Sequence, residues 1–235
     1  MTALHVAQPQ LTGDSLWDPA LIARYNLAGP RYTSYPTAAQ FQEDVSDSLW
    51  REAIKASNVS SAPLSLYFHI PFCNTVCYYC ACNKIITANR QRATDYLQVL
   101  YREIALQAEH VNPGRTVRQL HWGGGTPTYI SDAEMQELMA QTRRHFHLAD
   151  DDSGEFSIEI HPGGMATTRI AHLRRLGFNR VSMGVQDFDA DVQQAVNRFN
   201  SVDEVTALVA AIRAEHFKSL SMDLIYGLPR QSENS

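Results

Sequence analysis

Outside residues 73–82 the sequence has no cysteine, which excludes the scattered disulfide framework of a small secreted protein. It has no run approaching the ~20 apolar residues that a membrane-spanning helix needs. Met1 to Asp14 lacks both the basic start and the apolar middle of a secretory signal. Nor is there an excess of positive charge. Twenty Lys and Arg face 25 Asp and Glu, a formal charge of −5, so no overall field favours nucleic acid or an anionic membrane. Charged residues are 19% and hydrophobic ones 44%, too little charge for a solvated tail and enough apolar material for a sizeable core. A folded, cytoplasmic, monomeric chain is expected, with no nucleic acid or membrane partner. At about 150 residues per domain it holds one large domain or one and a half.

Residues 1–60 read as an irregular, helical extension. Pro9, Pro19, Pro30 and Pro36 interrupt any long period, and the segment from Arg24 to Pro36 is rich in aromatics. Asp44 to Ser57 carries Val45, Leu49, Trp50, Ala53 and Ile54 at helical spacing, a face for packing on the domain beyond residue 60. Residues 61–235 then alternate strand and helix. Leu64–Ile70, Val117–Trp122, Glu155–Ile160, Arg180–Val185 and Ser219–Tyr226 read as strands. Helices are expected over Arg92–Val111, after the capping boxes Ser131-Asp-Ala-Glu134 and Ser201-Val-Asp-Glu204, and over Thr168–Leu176 before Gly177. Such alternation implies right-handed crossovers and a parallel sheet, either doubly wound or part of a (β/α) barrel. In both, the loops after the strands carry the chemistry. Here those loops hold Cys73, Gly123-Gly-Gly125, His161-Pro162, Gln186-Asp187 and Tyr226-Gly-Leu-Pro229.

Cys73-x3-Cys77-x2-Cys80 puts three thiols on one short loop, with Cys82 just beyond. A structural zinc site takes four ligands, usually as two separated knuckles or with histidines, and no second knuckle is present. A cubane iron-sulfur cluster held by three cysteines leaves one iron open to a small molecule. Zinc and a dithiol redox loop remain the alternatives for the cysteines taken alone.

The cysteine spacing, with Tyr79 before the last ligand, resembles the signature of radical S-adenosylmethionine enzymes. More narrowly, six segments together resemble oxygen-independent coproporphyrinogen III oxidases (coproporphyrinogen III dehydrogenases). They are Gly29–Ala38, Tyr67–Cys73, Cys80–Lys84, His121–Thr128, Ser182–Phe188 and Asp223–Pro229. The resemblance runs from about Leu21 to the end. It implies a partial (β/α) barrel of the radical S-adenosylmethionine type, with parallel strands, cut off after the fifth strand. It also implies a 4Fe-4S cluster, two S-adenosylmethionine molecules, and an electron donor such as flavodoxin or ferredoxin. The activity it implies is conversion of two propionates of coproporphyrinogen III to vinyl groups through a 5′-deoxyadenosyl radical, in porphyrin and haem biosynthesis.

By the same resemblance Cys73, Cys77 and Cys80 hold the cluster, Gly124 and Glu159 contact the cofactor bound to it, and Tyr67 matches a cofactor contact. Tyr79 is a further cofactor contact. Gly125, Thr126, Gln186, Arg198 and Asp223 contact a second S-adenosylmethionine. Cys82 is a candidate catalytic residue, as proton donor or electron conduit. Alternation along its strand sends Glu159 to the barrel interior, where a buried carboxylate needs a partner.

Two departures from the family stand out. His161 occupies a place expected to be acidic or small and polar, and Gly163-Gly164 stands where the family usually begins a helical segment. The family also continues through another strand and helix into a covering domain, so a chain ending at Ser235 reads as a fragment or truncated reading frame without oxidase activity of its own. Two competing readings are the haem chaperones of the same superfamily and an inert zinc-stabilised interaction domain. Cys82 and the Pro30–Pro36 segment disfavour the chaperones. Anaerobic reconstitution and then iron and sulfide analysis check the cysteine assignment. Cys73→Ala, Cys77→Ala and Cys80→Ala should each abolish the cluster, and Cys82→Ala should keep it.

Overall fold

In four strands apolar side chains recur along one face and are buried, and this alternation organises the architecture. The computed structural model describes residues 18–26 and 37–233. Pro9 and residues 29–36 of the Gly29–Ala38 motif lie outside them. Contacts divide the chain into two units, residues 1–47 and 48–235. Described parts of the first are helix α1 (Pro19–Tyr25), capped by the Asp18 carboxylate, and a 3-10 turn at Ala38–Gln40.

The second unit contains most of α2 (Asp47–Ser57), then β1 (Leu64–Ile70), β2 (Phe72–Cys73), β3 (Ile85–Ile86) and α3 (Gln91–Ala108). Then come β4 (Thr116–Gly124), α4 (Asp132–His145), β5 (His147–Leu148), β6 (Glu155–Ile160) and α5 (Thr168–Leu176). The series ends with β7 (Arg180–Gln186), α6 (Ala190–Val196), α7 (Val202–Ala214) and β8 (Ser219–Leu224). Strand order in the main sheet is β1-β4-β6-β7-β8, all parallel, with short β5 beside β4; β2 and β3 form a separate parallel pair. Because each crossover moves one place in the same direction, the order never reverses as it does at the switch point of a doubly wound sheet. This is the partial barrel, with five principal strands.

The helices cover one face. Phe68, Ile70, Val117, Leu120, Trp122, Phe156, Ile158, Ile160, Val181, Met183 and Val185 point into them and are buried. Trp122 is the centre of this layer, edge-on to Phe178 with ring centroids 4.9 Å apart. The other face carries Tyr67, His69, His121, Ser157, Glu159 and Ser182, none of them buried. A closed barrel of the triosephosphate isomerase kind fills its interior with branched apolar side chains; here the interior is a polar trough. Strand β8 lies at the sheet edge among the described residues, with Met222 and Leu224 exposed.

Local chemistry explains the helix ends. Ser131 and Ser201 each form the full reciprocal capping box with Glu134 and Glu204, and Gly177 ends α5 at φ +107°. Helix α2 begins three residues later than its apolar pattern and has no buried residue. Its docking runs through Trp50, edge-on to His110, and through Arg115, which donates to the Ser57 carbonyl at 3.2 Å. Glu204 also accepts the Gly164 N–H at 3.0 Å, tying the cap of α7 to the loop after β6. Replacing the cap, Ser201→Ala, should lower unfolding free energy by about 1 kcal/mol, measured as a shift in urea midpoint with unchanged slope.

Candidate functional site

β1 runs through Pro71 into β2, and Cys73 is the last residue of that strand. Pairing with β3 fixes both ends of the intervening loop: Ile85 N–H donates to Pro71 O at 2.7 Å and Thr87 N–H to Cys73 O at 3.0 Å. Inside the loop, Lys84 Nζ donates to the carbonyls of Cys80 and Cys82 at 2.8 and 3.4 Å. The end of α6 supplies two more contacts. Tyr78 N–H donates to Val196 O at 3.0 Å, and Asn197, left-handed at φ +53°, donates from Nδ2 to Val76 O at 2.7 Å. Arg90 donates to Asn74 Oδ1 at 3.0 Å while lying 3.7 Å from the centre of the Tyr129 ring.

Cys73, Cys77 and Cys80 line one cleft of about 980 Å³, together with Tyr79, Gly125, Thr126 and Arg198. Cys73 Sγ is 3.4 Å from Thr126 Oγ1. The approach of the glycine loop requires Gly125: a Cβ there would lie 2.7 Å from Pro71 O and 2.9 Å from Cys73 Sγ. Gly124, at φ +118°, turns the chain past the His69 ring. Burial pushes the Cys73 thiol up, its hydrogen bond with Thr126 opposes this, and nearby Cys80 and Cys77 push it further. Binding to iron would reverse that direction, since a coordinated thiol is deprotonated. Among the described residues no three His, Cys, Asp or Glu side chains converge as ligands of one metal ion. Three soft sulfur donors spread around a common cleft fit a cubane, which takes one thiolate per iron.

The remaining candidates form two groups, one on the open sheet face and one that Arg198 joins to the cleft. On the polar face of the sheet, Tyr67 stacks on His121 with centroids 5.7 Å apart, and His121 Nε2 is 3.3 Å from Glu159 Oε1. The Glu159 side chain points inward but is 45% exposed, so the carboxylate is not the buried one that alternation alone suggests; no described element covers this face. Burial, then Glu159 and Cys82, push the Tyr67 phenol up. Cys82 is exposed, and its thiol is likewise raised, by partial burial first and then by Cys80. The second group surrounds Gly184: Gln186 Nε2 and the Arg198 guanidinium both lie beside it, and Asp223, its partner on β8, accepts from Ser182 Oγ at 3.1 Å. Gln186 takes φ +72° where the register between β7 and β8 slips.

Four residues that the motif reading did not single out complete this arrangement. Lys84, Arg90 and Asn197 fix the cysteine loop, and His121 joins Tyr67 to Glu159. Only Asn197 carries a local signal, as a residue tolerant of the left-handed conformation just past a helix. The unusual loop after β6 also finds its reason. A Cβ on Gly163 would lie 2.2 Å from Phe199 O, so the glycine permits the loop to pack on the chain after α6, and α5 begins only at Thr168.

His161, in that loop, accepts the Gly163 N–H on Nδ1 at 2.9 Å. Burial, helped by the Arg198 charge, lowers its pKa from 6.5 to about 4. Above pH 6.5 folded and unfolded chains both hold it neutral. Between 6.5 and about 4 only the unfolded chain takes the proton, so stability falls as pH falls through that window. From pH 7 to pH 5 the wild type should therefore lose about 2 kcal/mol more than His161→Gln, read from urea unfolding of the metal-free protein.

A family model described as "Radical SAM superfamily" matches residues 67–235. The oxygen-independent coproporphyrinogen III oxidase of Pseudomonas aeruginosa is 52% identical over 219 residues, 93% of this chain and 48% of that protein. Its counterpart in Escherichia coli is 48% identical over 219 residues, 93% of this chain and 47% of its own. The solved coproporphyrinogen III oxidase (HemN) from Escherichia coli, described as a radical SAM enzyme, superposes with a TM-score of 0.84 at 45% identity. That superposition covers 93% of this chain and 48% of the solved one. The chain thus spans about half the length of the curated relatives it matches. With three cysteines of the required spacing on one cleft at the strand ends of a partial barrel, it belongs to the radical SAM superfamily.

Proposed function

We propose that the protein takes part in the oxygen-independent oxidative decarboxylation of coproporphyrinogen III to protoporphyrinogen IX, in the cytoplasm and as a monomer. A donor such as flavodoxin or ferredoxin would supply electrons. The supporting observation is the meeting of the three-cysteine cleft with the Gly125-Thr126 turn, in a chain similar to relatives named for that activity.

When bound, the 4Fe-4S cluster and S-adenosylmethionine supply one-electron cleavage of the sulfonium, giving a 5′-deoxyadenosyl radical able to remove hydrogen from a propionate. The protein's part is placement. Cys73, Cys77 and Cys80 would hold three irons, leaving the fourth for the amino acid end of the cofactor. Glu159, half-exposed on the polar trough, offers a carboxylate to the cofactor's ammonium, with Tyr67 beside it and Gly124 allowing close approach. A second S-adenosylmethionine would sit against Gly125, Thr126 and Gln186. Arg198 would then face its carboxylate and Asp223 its ribose hydroxyls. Tyr79, packed against Val192, Val196 and Leu228, would wall a bound cluster from the α6 side. Cys82, exposed at the edge of the cysteine loop, would serve as a proton donor or electron conduit beside the substrate.

In a version extended to the length of the matched relatives, the reduced, cluster-loaded protein should convert coproporphyrinogen III to protoporphyrinogen IX under argon and consume S-adenosylmethionine. Glu159→Ala should slow cofactor cleavage at least tenfold. Stoichiometric haem binding without turnover in the same assay would replace this reading with the chaperone one.

A further inference from the structure

Arg198 comes directly after the left-handed Asn197, and its own N–H donates to Gln193 O at 3.0 Å, so its backbone is fixed before its side chain is placed. The guanidinium forks. Nη2 donates to the Gly184 carbonyl, Nη1 points at Cys77 Sγ from 3.8 Å, and Nε is buried with no acceptor among the described residues. Gly184 makes room for the fork, since a Cβ there would lie 2.7 Å from Nη2. Arginine keeps its proton at any pH a protein survives. Lys84, also on the cleft, directs its ammonium at carbonyl oxygens and not at a sulfur.

Resting on the assignment of Cys73, Cys77 and Cys80 as cluster ligands, we propose that Arg198 sets the reduction potential of the cluster through its contact with the Cys77 sulfur. This is a positioning role additional to any contact with a second cofactor. The physical reason is direct. Reduction adds one electron from an external donor to the cluster and its thiolates, breaks no bond, and increases negative charge beside the guanidinium. An N–H donor and a fixed positive charge at a ligand sulfur stabilise that more negative state and raise the potential. The same side chain spans from the cysteine loop to β7, so displacing the fork at Gly184 should act on the cluster from outside its ligand loop.

The test is a redox titration with dithionite and mediator dyes, monitored by electron paramagnetic resonance, with iron and sulfide counted in each sample. Wild type, Arg198→Met, Arg198→Lys and Gly184→Ala are compared after anaerobic reconstitution. At the wild-type midpoint, Arg198→Met should show a reduced-to-oxidised ratio about tenfold lower, about 59 mV for one electron. Arg198→Lys, which keeps the charge and loses the fork, should show a smaller fall. Gly184→Ala, which keeps the arginine and displaces it, should fall in the same direction. An unchanged midpoint in Arg198→Met at full iron content overturns the proposal and leaves the cluster assignment standing. If Arg198→Met loses its iron, unchanged midpoints in Arg198→Lys and Gly184→Ala overturn it instead. A wild type that takes up no iron removes the assignment and the proposal together.

Discussion

The cysteine loop has too little backbone pairing to hold its own shape, and the site depends on the elements that grip it from outside. Between Cys73 and Lys84 the internal brace is Cys80 N–H to Cys77 O, with Lys84 closing back on Cys80 and Cys82. Other contacts come from elsewhere: β3 at the exit, Thr126 at Cys73, His69 at the Asn83 carbonyl, Arg90 at Asn74, and the end of α6 at Val76, Tyr78 and Cys77. Three contacts from three consecutive residues, Val196, Asn197 and Arg198, make the α6 end the main clamp. A loop held this way can be rich in cysteine and poor in secondary structure and still present its sulfurs to one cleft.

The one-sided burial of the sheet prepares the place where the clamp works. Helices bury the Phe68, Trp122, Ile158 and Met183 face, which leaves the alternate positions free to be polar. Those positions bring Tyr67, His121 and Glu159 into contact across three strands. The two surfaces meet at the C-terminal ends of the strands, where Gly124 and Gly125 let β4 turn past His69 and Cys73 without side chains in the way. Polar side chains of the trough and of the cleft therefore converge on the same rim.

Much of this was legible in the sequence because it is local. Alternation marked Leu64–Ile70 and Glu155–Ile160 to the residue, capping boxes marked α4 and α7, and Gly177 marked the end of α5. The choice between a doubly wound sheet and a barrel was also encoded, in the polar alternate positions Tyr67, His121, Ser157 and Ser182, but only the strand order made it decisive. Short elements escaped. Two-residue β2, β3 and β5 have no period to read, and their pairing is set by tertiary neighbours. The site residues found through motifs were those with unusual chemistry at fixed spacing. Lys84, Arg90 and His121 were missed because a single charged or aromatic residue has many ordinary uses, and only contact across 4 to 39 positions of sequence reveals the partner. The exposure of Glu159 was likewise invisible, since it depends on what lies over the trough and not on the strand that carries the residue.

The central claim is that three cysteines leave one cluster iron open to a small molecule. Mössbauer spectroscopy of the protein reconstituted with iron-57, before and after S-adenosylmethionine is added, tests it most directly. One iron of the four should change its isomer shift on addition while the other three stay as they were. Four irons that are unaffected by the cofactor, or four that are all protein-ligated, would contradict the account.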